Sequence, residues 1–218
     1  MAEDTRQRLI DGAIETVRRN GIAGTSARTV AATAGVNQAL VFYHFGSVAD
    51  LLNEACRAAT AADVARYRER FAAIRTMREL LALGRDLHAD QRERGNVTLL
   101  AQMLAGAQGD ERLASATSEA IQLWVREIEG VLRRVVTGSP IEQVVDVTGL
   151  AHAVSAAFVG MELFEAVDPN GSTAALDALD RLGILLEVAD DLGPVASSAL
   201  RRRIRGVTGS NTPPSRGR

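Results

Sequence analysis

The chain has no lysine and a single cysteine, Cys56, in 218 residues. One thiol cannot close an internal disulfide, so the sequence suits a reducing compartment. All 25 basic residues are arginine, and against 27 acids they leave a net charge of −2. An overall basic balance, the common footprint of nucleic-acid binding, is therefore lacking, and any such activity must rest on local geometry. Long apolar runs are also scarce. The stretch 147–161, VTGLAHAVSAAFVGM, is 15 residues without a charge, short of the roughly 20 needed to span a bilayer. The opening MAEDTRQRLIDG has no apolar signal region, so a soluble, cytoplasmic protein with no membrane partner is expected.

Catalytic signatures are missing too. The sequence has no G-x-G-x-x-G, Walker loop, H-E-x-x-H or G-x-S-x-G, so no catalytic residue, cofactor or metal is expected, and no enzyme. Asp86, His88 and Asp90 look like a metal trio, but on a helix residues i and i+2 point about 200° apart; a solvated face is the expectation. Glu162 and Glu165 share a helix face without a partner for acid–base work. Cys56, beside Ala55 in an expected helix, reads as a buried structural thiol.

Charge is unevenly spread. Residues 1–52 hold five Arg and five acids, residues 53–192 hold 14 Arg and 22 acids, and residues 193–218 hold six Arg and no acid. Alanine is abundant and no alternating strand pattern occurs, so the chain reads as all-α. Helical spacing of Leu9, Ile10, Ala13, Ile14 and Val17 predicts a first helix over Thr5–Asn20, stopped at Gly21. Thr25 is a candidate N-cap for a second helix to about Ala34, with Gly35 at its left-handed end. Asn37 caps a short third helix, Gln38 to about His44, and Ser47 caps a fourth through about Arg70. Further helices are expected near 75–94, 97–107, 111–136, 141–166 and 173–191, with breaks at Gly95, Gly109, Gly138–Pro140 and Pro169–Gly171.

Aromatics make up only 4% of the chain, yet Phe42, Tyr43 and Phe45 crowd four positions beside His44. The preceding TVAATAGVNQAL meets the needs of a helix-turn-helix in order. Val30 and Ala31 face inward, Ala34 allows close approach, Gly35 permits the sharp turn and Val36 fills the gap between helices. Asn37 caps the probing helix and leaves backbone N–H groups near a phosphate. Gln38, Ala39 and Leu40 are then its first side chains. Gln pairs bidentately with adenine, and Ala or Leu touches a thymine methyl. Phe42 and Phe45 are expected to wedge this helix against its neighbours, with Tyr43 and His44 turned outward.

With Thr25, Ser26, Val30, Ala31, Ala34, Gly35, Val36, Asn37, Val41, His44, Phe45, Ser47 and Leu51 in register, the first 52 residues resemble the TetR/AcrR family of bacterial one-component regulators. Phe42 and Val48 depart from that pattern, where tyrosine and lysine are usual. The resemblance implies DNA contacts from Thr25, Ser26, Arg28, Asn37, Gln38, Ala39, Leu40, Tyr43, His44 and Ser47. It implies a three-helix DNA-binding domain over residues 1–46, then a larger helical ligand-binding and dimerisation domain over 47–193. The basic tail, 194–218, has a disordered composition and could add phosphate contacts.

The family further implies a ligand pocket and a paired helical face. Gly149, Ala153, Ala156 and Gly160 form a smooth stripe, and Leu176, Leu179, Gly183 and Leu186 an apolar one, for a homodimer. Val154, Phe158, Met161 and Glu162, with Met103, Trp124 and His88, would line a mostly apolar cavity with few polar anchors. The expected function is a homodimeric, ligand-responsive transcriptional regulator, usually a repressor, on a pseudo-palindromic double-stranded DNA operator, released by a small-molecule effector. The alternative is a helical protein–protein interaction module that has lost specific DNA binding.

Overall fold

The computed structural model describes residues 2–94, 96–139, 142, 145–190, 198–199 and 202–203. Gly95, Pro140 and nearly all of the basic tail lie outside the described residues, as does the side chain of Leu186. The described chain forms α1 (Ala2–Asn20), α2 (Ala27–Ala34), α3 (Ala39–Phe45), α4 (Val48–Ala73), α5 (Met77–Arg94), α6 (Asn96–Gly106), α7 (Glu111–Val136), α8 (Val147–Glu165) and α9 (Pro169–Asp190). No strand occurs among the described residues.

Two apolar cores organise these helices. The first joins Leu9, Ile10, Ala13 and Val17 of α1 to Val30, Ala31, Val41, Leu51, Leu52, Ala55 and Cys56. Leu99, Met103, Leu113 and Ala120 of α6 and α7 belong to the same core. The second holds Tyr67, Phe71, Ile74, Leu80, Leu83, Leu87, Val125, Ile128, Val131, Leu132 and Ala151. The N-terminal halves of α4 and α7 sit in the first core and their C-terminal halves in the second. These two 26-residue helices therefore run side by side in the same direction, each about 39 Å long at 1.5 Å per residue.

Three expectations need correction here. The N-cap of α2 is Ser26, one residue after Thr25. Its Oγ accepts from Thr29 N at 3.2 Å while its own N–H donates to Thr29 Oγ1 at 2.8 Å. Thr29 supplies the reciprocal hydroxyl of a capping box, so the register moves by one; Thr25 instead donates to Gly21 O at 2.7 Å. Pro169 does not break the chain but opens α9, at the first helical position where its missing N–H is harmless. Asp168 Oδ1 accepts from Gly171 N at 2.9 Å there. Finally, the helix expected near 141–166 is α8, Val147–Glu165, and its 19 residues, unlike the 15-residue uncharged stretch alone, are long and apolar enough by length and composition to cross a bilayer. It lies instead against α7 and α9 with Glu162 turned inward.

Helices α1 and α2 cross closely at Gly12. A Cβ added there would lie 2.9 Å from Ala34 Cβ and 3.2 Å from Val30 O. Beside it the buried Thr16 hydroxyl donates to Gly12 O at 2.6 Å and meets Thr33 Oγ1 at 3.0 Å. A glycine in an open helix costs about 1 kcal/mol relative to alanine; here the contact reverses the sign. Gly12→Ala should destabilise the fold by about 1–3 kcal/mol, the usual range for overpacking, read as a lower denaturant midpoint with an unchanged slope.

Candidate nucleic-acid interface and effector site

The turn that launches α3 is fully hydrogen-bonded. Gly35 takes φ 65° and ψ 40°, the left-handed conformation that costs a β-carbon-bearing residue most. Its N–H donates to Ala32 O at 3.3 Å, and Val36 N–H donates to Ala31 O at 3.0 Å. This pair of bonds is a Schellman cap. Arg8 of α1 completes it: Nη2 donates to Ala34 O at 2.7 Å and to Gly35 O at 3.0 Å. No local sequence signal marks Arg8, because its partners lie 26 and 27 residues away.

Asn37 Oδ1 then accepts from Ala39 N at 2.8 Å, while α3 begins at Ala39 with Gln38 at the N-cap, one residue later than expected. Val41 is buried and anchors α3, while Leu40 and Phe45 are partly buried against the first core. Gln38, Ala39 and Tyr43 face solvent, Tyr43 being 79% exposed. Phe42 corrects the expectation of a packed wedge. It is 53% exposed, standing about 100° round the helix from the buried Val41. Arg6 holds Phe45 from outside, with its guanidinium 5.1 Å from the ring centroid and 3.3 Å from Glu54 Oε1. Tyr43 stacks edge-on against His44 at 4.9 Å. Thr25, Ser26 and Arg28 lie at the start of α2, with Ser26 and Arg28 exposed. Ser47 caps α4, accepting from Asp50 N at 3.0 Å. Val48, where lysine was the pattern, is partly buried against the first core.

The expected pocket residues divide between the two cores. Met103 is fully buried in the first, facing α1, so it does not line a space with Glu162. Trp124, Val154 and Phe158 pack on the second, with Trp124 6.3 Å from Tyr67 and 6.2 Å from Phe71 by ring centroids. Met161 is partly buried, its carbonyl accepting from Ser172 Oγ at 3.4 Å. His88 is buried, and its Nδ1 meets Glu162 Oε1 at 2.6 Å; Nε2 is 3.8 Å from Glu165 Oε2. Arg92 Nη1 closes the set on Glu165 at 2.9 Å. Asp86 and Asp90 turn to other partners, Arg70 and Tyr67, so the trio does not converge. Cys56 is buried, and burial pushes its thiol up to about 11, which suits an inert structural role.

The expected dimer stripes also divide. Gly149, Ala153, Ala156 and Gly160 are all exposed along α8. Of the expected stripe on α9, Leu179 is exposed. Leu176 is buried and Gly183 lies against α5, where a Cβ would come within 2.6 Å of Leu81 Cδ1. Ion pairs of Arg85 with Asp177 and Asp180 dock that same face. Among the described residues of this region, the exposed large apolar side chains are Leu163, Phe164, Val167, Leu179, Leu182, Ile184, Leu185 and Val188.

Residues 9–55 match the family model for bacterial regulatory proteins of the tetR family. A TetR-family transcriptional regulator from Rhodococcus sp. shares the fold with a TM-score of 0.69 at 21% identity, over 87% of this chain and 100% of that one. The FadR regulator of Bacillus subtilis, in complex with stearoyl-CoA, superposes with a TM-score of 0.63 at 18% identity, covering 85% and 97%. A regulator from Saccharomonospora viridis in complex with choline gives 0.64 at 21%, covering 82% and 93%. No curated relative matches the sequence.

The segment that matches the family model runs from Leu9 in α1 to Ala55 in α4, taking in the Gly35 turn and all of α3. The His88–Glu162 pair lies beyond it. Burial lifts the Glu162 carboxyl above the ordinary glutamate range, more than the His88 hydrogen bond lowers it. The folded state therefore holds this proton more tightly than the unfolded chain. The contribution is complete below the unfolded value of about 4.3 and is lost as pH rises through the higher folded value. Glu162→Gln should flatten the fall in stability as pH rises from about 4.3, measured by denaturant unfolding at successive pH values. An unchanged slope contradicts the assignment.

Proposed function

We propose that the chain is a homodimeric, ligand-responsive transcriptional regulator that reads a pseudo-palindromic operator through α3. The observation that carries this reading is the capped left-handed turn at Gly35. It leaves Gln38, Ala39 and Tyr43 on an outward face while Val41 and Phe45 hold the helix to the body. The geometry is that of a helix-turn-helix, in which the second helix enters the major groove with its first residues against base edges. In this reading Thr25, Ser26, Arg28, Asn37, His44 and Ser47 meet flanking phosphates, contacts that position the helix without carrying sequence.

Dimerisation would use α8 and α9. Gly149, Ala153, Ala156 and Gly160 allow close helix approach, and Leu179 with the uncovered apolar residues 163–188 supports a buried interface. Two α3 helices then stand about one DNA turn apart, roughly 34–36 Å. A small effector lodged beside Trp124, Val154, Phe158, Met161 and the His88–Glu162 pair would favour a conformer with the wrong spacing. A hundredfold loss of DNA affinity needs about 2.7 kcal/mol of discrimination between the two states. An effector with a donor or positive charge suits Glu162 best. Repression in the effector-free state follows from this scheme in a cytoplasmic protein.

The test is a gel shift with duplexes selected from a random pool. Sequence-specific binding that survives competitor DNA supports the regulator; binding without sequence preference leaves a helical interaction module as the reading. On a selected duplex, Gln38→Ala should cost about 1–3 kcal/mol and relax the preference at one base position. Unchanged preference there removes Gln38 from the reading role.

A further inference from the structure

Large apolar side chains that stand open to solvent fall in two places among the described residues: Phe42 and Tyr43 on α3, and positions 163–188 of α8, the turn after it and α9. A partner copy accounts for the second group in the scheme above. Packing within the chain does not account for the first. Single exposed apolar residues need no explanation, but two adjacent aromatics on the outward face of one short helix form a patch with a direction. Tyr43 carries a hydroxyl that can serve a phosphate oxygen. Phe42 carries neither donor nor acceptor, so no phosphate or base-edge hydrogen bond explains it.

Phe42 lies four residues, one helical turn, beyond Gln38 and three beyond Ala39, both exposed. Residues at these spacings are neighbours on a helix surface. The three therefore share the outward face of α3. What the major groove offers an apolar ring is the C5-methyl group of thymine, which no other standard DNA base carries. A helical turn advances about 5.4 Å and a base step about 3.4 Å.

We propose that Phe42 is a specificity-determining residue that packs on a thymine methyl one or two base pairs from the pair read by Gln38. The inference rests on the reading of α3 as the DNA-recognition helix and adds to it a chemical requirement on each half-site. Phe42 thus offers an apolar contact that one base alone satisfies.

The experiment uses the full chain and a duplex selected from a random-sequence pool. Each thymine of the selected site is replaced singly by deoxyuridine, which keeps the base pairing and removes only the methyl group. One such replacement per half-site should weaken wild-type binding by about fourfold, the worth of burying one methylene-sized group. Phe42→Ala, at an exposed position, should show no such difference between the two duplexes, and Phe42→Leu should retain it. If no replacement affects the wild type, or if one affects wild type and Phe42→Ala equally, the proposal is overturned while the DNA-binding reading stands. If the pool yields no preferred duplex at all, both fall together.

Discussion

The left-handed turn at Gly35, closed by two backbone bonds and the Arg8 guanidinium, is the constraint on which the rest depends. Without it α2 would run on, and α3 would not lie across the surface with one face free. Its position follows from the contact beneath it. Gly12 lets α2 approach α1 within van der Waals distance of Ala34, immediately before the turn, and Arg8, one helical turn earlier on α1, reaches the carbonyls of Ala34 and Gly35. Helix α1 therefore fixes both the depth of α2 and the angle at which α3 departs.

That fixed point is connected to the rest of the chain through apolar packing. The core that holds α1 to α4 also holds Leu99 and Met103 of α6 and Leu113 and Ala120 of α7. Ile22, just after α1, packs on this core, and its N–H faces Gln102 Oε1 at 3.4 Å. The second core, with the His88–Glu162 pair beside it on α5 and α8, shares α4 and α7 with the first. A change in packing around Glu162 has a continuous route of side chains toward α1, made of two long helices lying side by side.

Much of this was legible in the sequence because the signals are local. Gly35, Asn37 and Ser47 mark their turns by residue type alone, and the helix expected near 111–136 after the break at Gly109 is α7, Glu111–Val136. The misreadings share a cause, since each depends on a partner distant in sequence or on a choice between adjacent equivalents. Thr25 and Ser26 are both good caps, and Thr29 decides between them. The clustering of Phe42 with Phe45 suggests packing for both, but Phe45 alone is partly buried against the first core while Phe42 stands exposed. Met103 is as apolar as a pocket residue should be, and only the fold says which core receives it. Leu176 and Gly183 form a convincing stripe, yet Leu81 and Arg85 of α5 already cover it. Arg8 gives no sign of its role until the turn it caps is seen.

The central claim is that α3 and the Gly35 turn are what meet DNA. Hydrogen–deuterium exchange of the full chain, with and without a duplex selected from a random pool, addresses it most directly. The account predicts slowed exchange confined to the start of α2 and the segment Val36–Ser47 when the duplex is present. Protection elsewhere with Val36–Ser47 unchanged would contradict it.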